Sequence, residues 1–333
     1  MSSNKDPGTF SPQRRAVLGQ LAALAAAAAI PMQSFAQAYP SRPIRLVVPF
    51  PPGGGFDSVA RPLAQKMASI LKATIVVDNK AGAAGNIGTA DVARSPADGY
   101  TILFANEILA TNPYVYKTVG FDPLKDFEPI ATIATTPLAL AVYPELPAKN
   151  LKELIALSAK EPITFGTPGR GTSPHLFGEL LNLQTPLKTR HIPYRGTGPA
   201  ITDAIGGQIN AVLSTASSIA QHIKSGKLRG IAILSNKRSA LLPDLPTLAE
   251  AGIPGHSHDV WYVMLAPAGT PQPIVTQLRE AAAQALRDHD LDERLRNIGF
   301  EVTPGDGKMV TELIRRDLAR WGRVVSEAHI AKE

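Results

Sequence analysis

Cysteine is absent from this sequence, which excludes disulfides, thiolate nucleophiles, iron–sulfur clusters and cysteine-ligated zinc. Aromatic residues are scarce, at 6 %, too few for a base-stacking nucleic-acid surface. A strong charge of either sign is also missing, since 34 Lys and Arg face 28 Asp and Glu for a net +6. Lys5, Asp6, Arg14 and Arg15 precede residue 39, so the remainder carries 31 basic against 27 acidic residues, or +4. That mild, scattered excess does not suit nucleic acid, but it would suit a small anionic ligand. Past the N-terminus no long uncharged apolar run occurs, so no transmembrane span is expected. What is present is a 44 % hydrophobic, 19 % charged balance, which excludes disorder for most of the chain. At 333 residues the chain exceeds what one core usually absorbs, and two domains or two lobes are expected.

Residues 1–38 read as an export signal. A polar start ends in Arg14-Arg15, an Ala-dominated apolar run covers residues 16–30, and Pro31 breaks it. Ser34-Phe35-Ala36 or Ala36-Gln37-Ala38 then supplies small residues for signal peptidase. The Arg pair points to the twin-arginine route, while Val17, where that signal prefers an aromatic residue, keeps a Sec signal open. The mature protein is expected in the periplasm, with no membrane insertion once the signal is removed.

From Ile44 onward, short β-type runs alternate with helical patterns. Strands are expected at residues 44–48, 75–77, 102–104, 138–142, 163–165, 212–213, 231–234 and 263–265. Helical stripes include Val59, Leu63, Met67; Leu176, Phe177, Leu180, Leu181; and Val310, Leu313, Ile314, Leu318, Trp321, Val324. Strand and helix in alternation predict an α/β fold with mainly parallel sheets.

One local echo carries the chemistry. Strand 44–48 leads into Pro49-Phe50-Pro51-Pro52-Gly53-Gly54-Gly55, then Asp57-Ser58 and a helix. Strand 163–165 leads into Gly166-Thr167-Pro168-Gly169-Arg170-Gly171, then Thr172-Ser173 and a helix. Glycines let backbone N–H groups approach a ligand, and the first turn of a helix leaves those donors unpaired. A carboxylate or phosphate can therefore be held there without Lys or Arg. Ala81-Gly82-Ala83-Ala84-Gly85-Asn86 is a third small-residue loop entering a helix. Asp57 has two readings, helix cap or loop organiser beside the anion. His175 either points at the ligand or packs, and Arg195, in Pro193-Tyr194-Arg195-Gly196, is either a charged clamp or a solvated loop residue. Dinucleotide, P-loop, nucleophile-elbow and zincin motifs do not occur. His256-Ser257-His258-Asp259 could be drawn as a metal site, but no further ligands accompany it, so neither a metal nor a cofactor is expected.

Several ordered runs carry a resemblance: Val48-Pro49-Phe50-Pro51-Pro52-Gly53-Gly54 with Asp57, Asn79-Lys80-Ala81-Gly82, Asp98-Gly99-Tyr100-Thr101 and Phe165-Gly166-Thr167. They continue with Gly171-Thr172 and His175-Leu176, Pro193-Tyr194-Arg195-Gly196, Gly206-Gly207-Gln208, Asp244-Leu245-Pro246-Thr247 and Ala266-Pro267-Ala268-Gly269-Thr270-Pro271. Together they cover nearly all the mature chain and resemble the Bug receptors, which include the solute-binding subunits of tripartite tricarboxylate transporters. The resemblance implies a two-lobed, type II-like periplasmic binding protein, a Venus flytrap closing on a small carboxylate in the cleft between its lobes. It implies a non-catalytic receptor whose partners are the large and small membrane permease subunits. The lobes are expected at residues 39–142 with 261–333, and at residues 143–260. The family holds its carboxylate mainly by backbone amides, hydroxyls and water. Carried over by position, the ligand-binding residues are Phe50, Gly53, Gly54 and Asp57 in the first loop, Ala84 in the small-residue loop and Asn106 at a strand end. In the second lobe they are Thr167, Gly169, Gly171, Thr172, His175 and Arg195, with Asn210 near the cleft. Ala84 replaces a usual Gly, Pro168 stiffens its loop, and Asn210 stands where an Asp is common. The rival readings are an exported α/β enzyme using His175, His256 or His258 on a carboxylated or phosphorylated compound, and a ligand sensor.

Overall fold

The computed structural model describes residues 39–333, so the expected export signal lies outside the described residues. The apolar run Ile44–Val48 forms β1, in which Ile44, Leu46, Val47 and Val48 are wholly buried. A strand with no solvent face needs cover on both sides. It lies between β2 (Ile75–Asn79) and β3 (Thr101–Asn106), parallel to both. Parallel neighbours require crossovers, supplied by α1 (Gly55–Leu71) and α2 (Asn86–Ala93). The chain continues through α3 (Ile108–Val115), the long β4 (Phe127–Val142), α4 (Leu151–Ser158), β5 (Ile163–Thr167), α5 (Ser173–Gln184), β6 (Thr189–Pro193), α6 (Thr197–Ile205) and β7 (Ala211–Thr215). After α7 (Ala216–Lys224) and β8 (Arg229–Ile233) come β9 (Asp259–Pro267), α8 (Gln272–Ala285), α9 (His289–Asn297), β10 (Glu301–Gly305) and α10 (Gly307–Glu327).

The strand order is β2-β1-β3-β9-β4-β7-β5-β6, with β8 and β10 also paired to β4. β4 changes partners along its length. Phe127 to Pro137 pair antiparallel with β9, whereas Leu138 to Val142 pair with β7 and β8. The outer ladders, β1 with β2 and β3 and β5 with β6 and β7, are parallel, while the central ones are antiparallel. The sheet is thus mixed, not mainly parallel as the strand–helix alternation suggested, because alternation does not encode the direction of β9. Beyond the expected residues 138–142, β4 runs back to Phe127. Its prolines fit because Pro129 sits at a register shift and Pro137 opposes Asp259, where the ladder to β9 ends.

Around the last residues of β4, Ala139, Ala141, Ile201, Val212, Ile219 and Ile233 form one hydrophobic cluster. On the other side, α10 lays Val310, Ile314, Trp321 and Val324 against β4 and α3, as its sequence stripe predicts, and also touches α5. Asp317 is fully buried within that stripe, where its Oδ2 accepts the Trp261 indole N–H at 2.6 Å. No helix among the described residues is long and apolar enough to cross a membrane.

Candidate functional site

The Gly-rich segment after β1 is exposed from Pro51 to Gly55 and turns at Gly53, where φ is +83°. Asp57 organises it. The N-cap of α1 is Gly54, without a side-chain cap, and the Asp57 carboxylate reaches back to the Gly53 N–H at 3.1 Å. The same carboxylate accepts from Arg61 Nε at 2.7 Å and Asn79 Nδ2 at 3.1 Å. Although burial opposes it, these partners, Arg61 foremost, hold the Asp57 pKa below the usual carboxylate range. Asn79 also donates to the Phe50 carbonyl, tying the loop to the end of β2. Phe50 stacks on Phe56 with ring centroids 4.4 Å apart, and Phe56 packs edge-on to Phe104 and Tyr262.

The small-residue loop lies against this one. Gly82, Ala83, Ala84 and Gly85 all have positive φ, so two alanines occupy left-handed backbone, which costs each about 1–2 kcal/mol. A Cβ on Gly85 would fall 2.6 Å from Ile108 Cδ1 and 3.4 Å from the Phe50 ring. Asn112 Nδ2 clamps the loop by donating to the Ala84 carbonyl and to Asn86 Oδ1 at 3.0 and 2.7 Å. Asn86 Nδ2 is buried and has no partner among the described residues, as are Thr111 Oγ1 and Glu107 Oε2 on the adjoining helix. Buried donors and acceptors of this kind are rare and call for an occupant, solvent or ligand.

The third loop follows β5. Thr172 is the N-cap of α5 but gives its hydroxyl to the Gly169 carbonyl at 2.8 Å, so no side chain caps the helix. Among the described helices α4, α9 and α10 carry a side-chain cap, from Asn150, Asp288 and Asp306, whereas α3, α6, α7 and α8 also start without one. Gly171 has φ +71°, and a Cβ there would lie 2.4 Å from Val115 Cγ2 at the end of α3. His175 Nδ1 accepts the Gly171 N–H at 3.0 Å, which assigns the ring proton to Nε2. The ring stacks on His191 at 3.8 Å, and His191 Nε2 lies 2.7 Å from Thr167 Oγ1. Burial, then the neighbouring positive charges, lowers His175 to about 3 and His191 to about 4, so both are neutral near pH 7. Tyr194 and Gly196 donate their N–H groups to the Thr167 and Pro168 carbonyls, which brings the exposed Arg195 beside this loop. Arg195 makes no hydrogen bond or ion pair among the described residues.

The third loop is tied to the start of α3 through a buried pair. Ser173 Oγ donates to Glu107 Oε1 at 2.7 Å, joining the start of α5 to the start of α3. Burial pushes Glu107 up to about 8, so it is protonated near pH 7 and adds no negative charge. Asn106 turns inward, its Oδ1 accepting the Ile108 N–H at 3.1 Å. Of the residues singled out from the sequence, Phe50, Gly53, Gly54, Asp57, Ala84, Asn106, Thr167, Gly169, Gly171, Thr172, His175 and Arg195 lie in loops and strand ends linked by these contacts. Asn210 does not. It precedes β7, and its Oδ1 accepts from the Thr164 N–H and hydroxyl at 2.9 and 2.8 Å, a pin at the opposite ends of the strands. Glu107, Asn86, Asn112 and His191 escaped the sequence reading; an acid directly after strand 102–106 was the available signal for Glu107. In the drawn metal site, His256 bonds the Pro254 carbonyl and Gln184, while His258 packs edge-on to Trp321.

Residues 59–330 match the model of the tripartite tricarboxylate transporter family receptor. Protein BugT of Bordetella pertussis is 36 % identical over 296 residues, covering 88 % of this chain and 91 % of BugT. The solved periplasmic binding protein BugD is 36 % identical with a TM-score of 0.77, across 89 % of this chain and 100 % of BugD. A protein of R. palustris solved with adipate is 34 % identical with a TM-score of 0.80, across 89 % of this chain and all of that one. The α/β fold is that of the periplasmic binding proteins, and the chain belongs to the Bug family of tripartite tricarboxylate transporter receptors, a family of solute-binding proteins.

Proposed function

We propose that this chain is a periplasmic receptor that captures a small carboxylate, one or two of whose carboxylate groups sit at the starts of α1, α2 and α5. The observation that carries this reading is the contact among three uncapped helix starts: Asn112–Ala84 and Ser173–Glu107 tie the second and third loops to α3, and Phe50 of the first loop packs against Gly85 of the second. Their first-turn N–H groups and partial positive charge suit a carboxylate oxygen. The local electrostatics agree, since Glu107 is uncharged and Asp57 is paired with Arg61. Asn86 Nδ2 and the loop hydroxyls of Thr167 and Thr172 add polar contacts, and Arg195 closes over the mouth.

The lobes are residues 39–142 with 261–333, and residues 143–260. The change of β4 partners at Leu138 and the pairing of β9 from Asp259 support that division. A ligand touching both lobes favours the closed arrangement and so drives closure. Residues 1–38 act as the export signal, and the closed receptor delivers its cargo to a membrane permease with large and small subunits. An enzyme using His175 as base is disfavoured, because its Nδ1 lone pair already accepts Gly171 N–H and burial lowers its pKa to about 3, leaving the ring too weak a base near neutral pH. Calorimetric titration with adipate, then with other mono-, di- and tricarboxylates, tests the proposal. Saturable binding of an acid recovered unchanged supports it, and chemical conversion of the acid overturns it.

A further inference from the structure

A cavity of about 640 Å³ opens between α10, α5 and the segment that leads into β9, and none of the three loops lines it. Arg316, Arg320 and Arg323 face it from α10 at the i, i+4 and i+7 spacing that puts side chains on one helix face. Arg316 is held by Asp317, whose carboxylate is also engaged by Trp261. Arg320 is half-buried, lies 4.8 Å over the Trp321 ring and donates once, to the Ser257 carbonyl at 3.0 Å. It has no ion pair among the described residues, and neither has Arg323, whose side chain makes no hydrogen bond there either. Among the described residues Asp317 is the one carboxylate that attracts Arg320, and it is already paired with Arg316, so the three guanidinium groups along this face outnumber the acid that faces them and repel each other. His258, also on the lining and packed edge-on to Trp321 of α10, is 3 % exposed, and its buried Nε2 has no partner among the described residues. Burial, with repulsion from Arg320 and Arg316, outweighs the attraction of Asp317 and keeps that ring neutral, so Nε2 can carry a proton to donate. The acids on the lining are Asp259, which accepts from Ser235 and which burial pushes toward the neutral form, and the exposed Glu327.

We propose that this cavity is a second ligand site that takes a compact multivalent oxyanion, a phosphate or a polycarboxylate, on the arginine face of α10 beside His258. Planar guanidinium groups match such oxygens with paired hydrogen bonds, and the volume falls within the range of small-molecule sites. The site stands on its own residues and does not depend on what binds at the loops. Its walls come from α10, α5 and the segment between β8 and β9, so an occupant bridges these three elements.

The test is calorimetric titration of the purified full chain at low ionic strength with inorganic phosphate and, separately, with citrate. Side-chain ¹⁵N spectra of the histidines are followed in parallel. The same titrations on R316Q/R323Q, whose replaced side chains are exposed, locate the binding. At least one anion is expected to bind saturably and shift the His258 Nε2 resonance, with affinity lowered about tenfold or more in the double variant. Adipate, added as competitor, should leave this binding in place. Citrate held at the loops is displaced by adipate and counts toward the proposed function; silence with both anions, adipate-resistant binding that survives R316Q/R323Q, or displacement of phosphate by adipate overturns the assignment.

Discussion

Replacing Gly171 by alanine is expected to wedge the third loop away from α3. The backbone there has φ +71°, and the new Cβ would sit 2.4 Å from Val115 Cγ2 and 3.0 Å from its Cβ. Left-handed backbone costs a non-glycine residue about 1–2 kcal/mol. The overlap adds about 1–3 kcal/mol, because Val115 is only 3 % exposed and has little room to retreat. G171A should therefore lose about 2–5 kcal/mol of stability in urea unfolding. V115A removes two methyl groups and should cost about 1–2 kcal/mol by itself. In the double variant the overlap with the two Cγ atoms is removed, and the backbone contribution remains together with a 3.0 Å approach to the Cβ of residue 115. The two changes should thus couple favourably by about 1–3 kcal/mol, the size of the steric part. Carboxylate affinity should follow the same order, weakened in G171A and largely restored in G171A/V115A. Additive effects, agreeing within about 0.5 kcal/mol, would refute the contact between the loop and α3.

Three further outcomes follow from the same geometry. Stability should peak near pH 6.5. His175, His191 and His258, lowered to about 3, 4 and 3 from an ordinary 6.5, bind fewer protons folded than unfolded, so stability rises with pH up to 6.5. Glu107, raised from 4.5 to about 8, contributes stability that is full below pH 4.5 and is lost as pH rises through 8; E107Q should flatten that alkaline decline, and an unchanged urea-midpoint slope from pH 6.5 to 8 would contradict it. N86D keeps the acceptor for Asn112 but turns the unpartnered Nδ2 into a carboxylate oxygen, and should weaken carboxylate binding at least about tenfold by calorimetry. S173A leaves Glu107 Oε1 without its donor and should cost about 1–3 kcal/mol in the same unfolding assay; a change near zero would mean the pair does not hold α5 to α3.

Much of the site was legible because proline and glycine punctuate the chain where the backbone turns sharply. The segments 49–55 and 166–172 announced two strand-to-helix turns, and both occur. Asp57 was readable as a loop organiser because a carboxylate in the first turn has N–H groups within reach. The direction of β9 was not readable, since an antiparallel and a parallel strand share one apolar pattern; nor was the full length of β4, whose Pro129 and Pro137 imitate strand ends. Asn210 was expected near the cleft from its place after Gly206-Gly207-Gln208. Strand ends alternate in space, however, and the start of β7 lies at the far side from the loops. Glu107 was overlooked because charged residues are assumed solvated, while burial keeps this one protonated. Ala84 illustrates the converse, a departure visible in the sequence whose meaning, left-handed backbone at φ +51°, emerged only from the fold.

Capture of an intact small carboxylate at the loop starts is open to a single titration. Adipate and a panel of mono-, di- and tricarboxylates are titrated into the purified protein and into N86D, and each acid is recovered afterwards by mass spectrometry. Saturable one-to-one binding of at least one acid is expected, weaker in N86D, with the acid recovered unchanged. A thermal shift should accompany it, worth about 2.7 kcal/mol at a hundred times Kd. No binding across the panel, or recovery of a converted product, would contradict it.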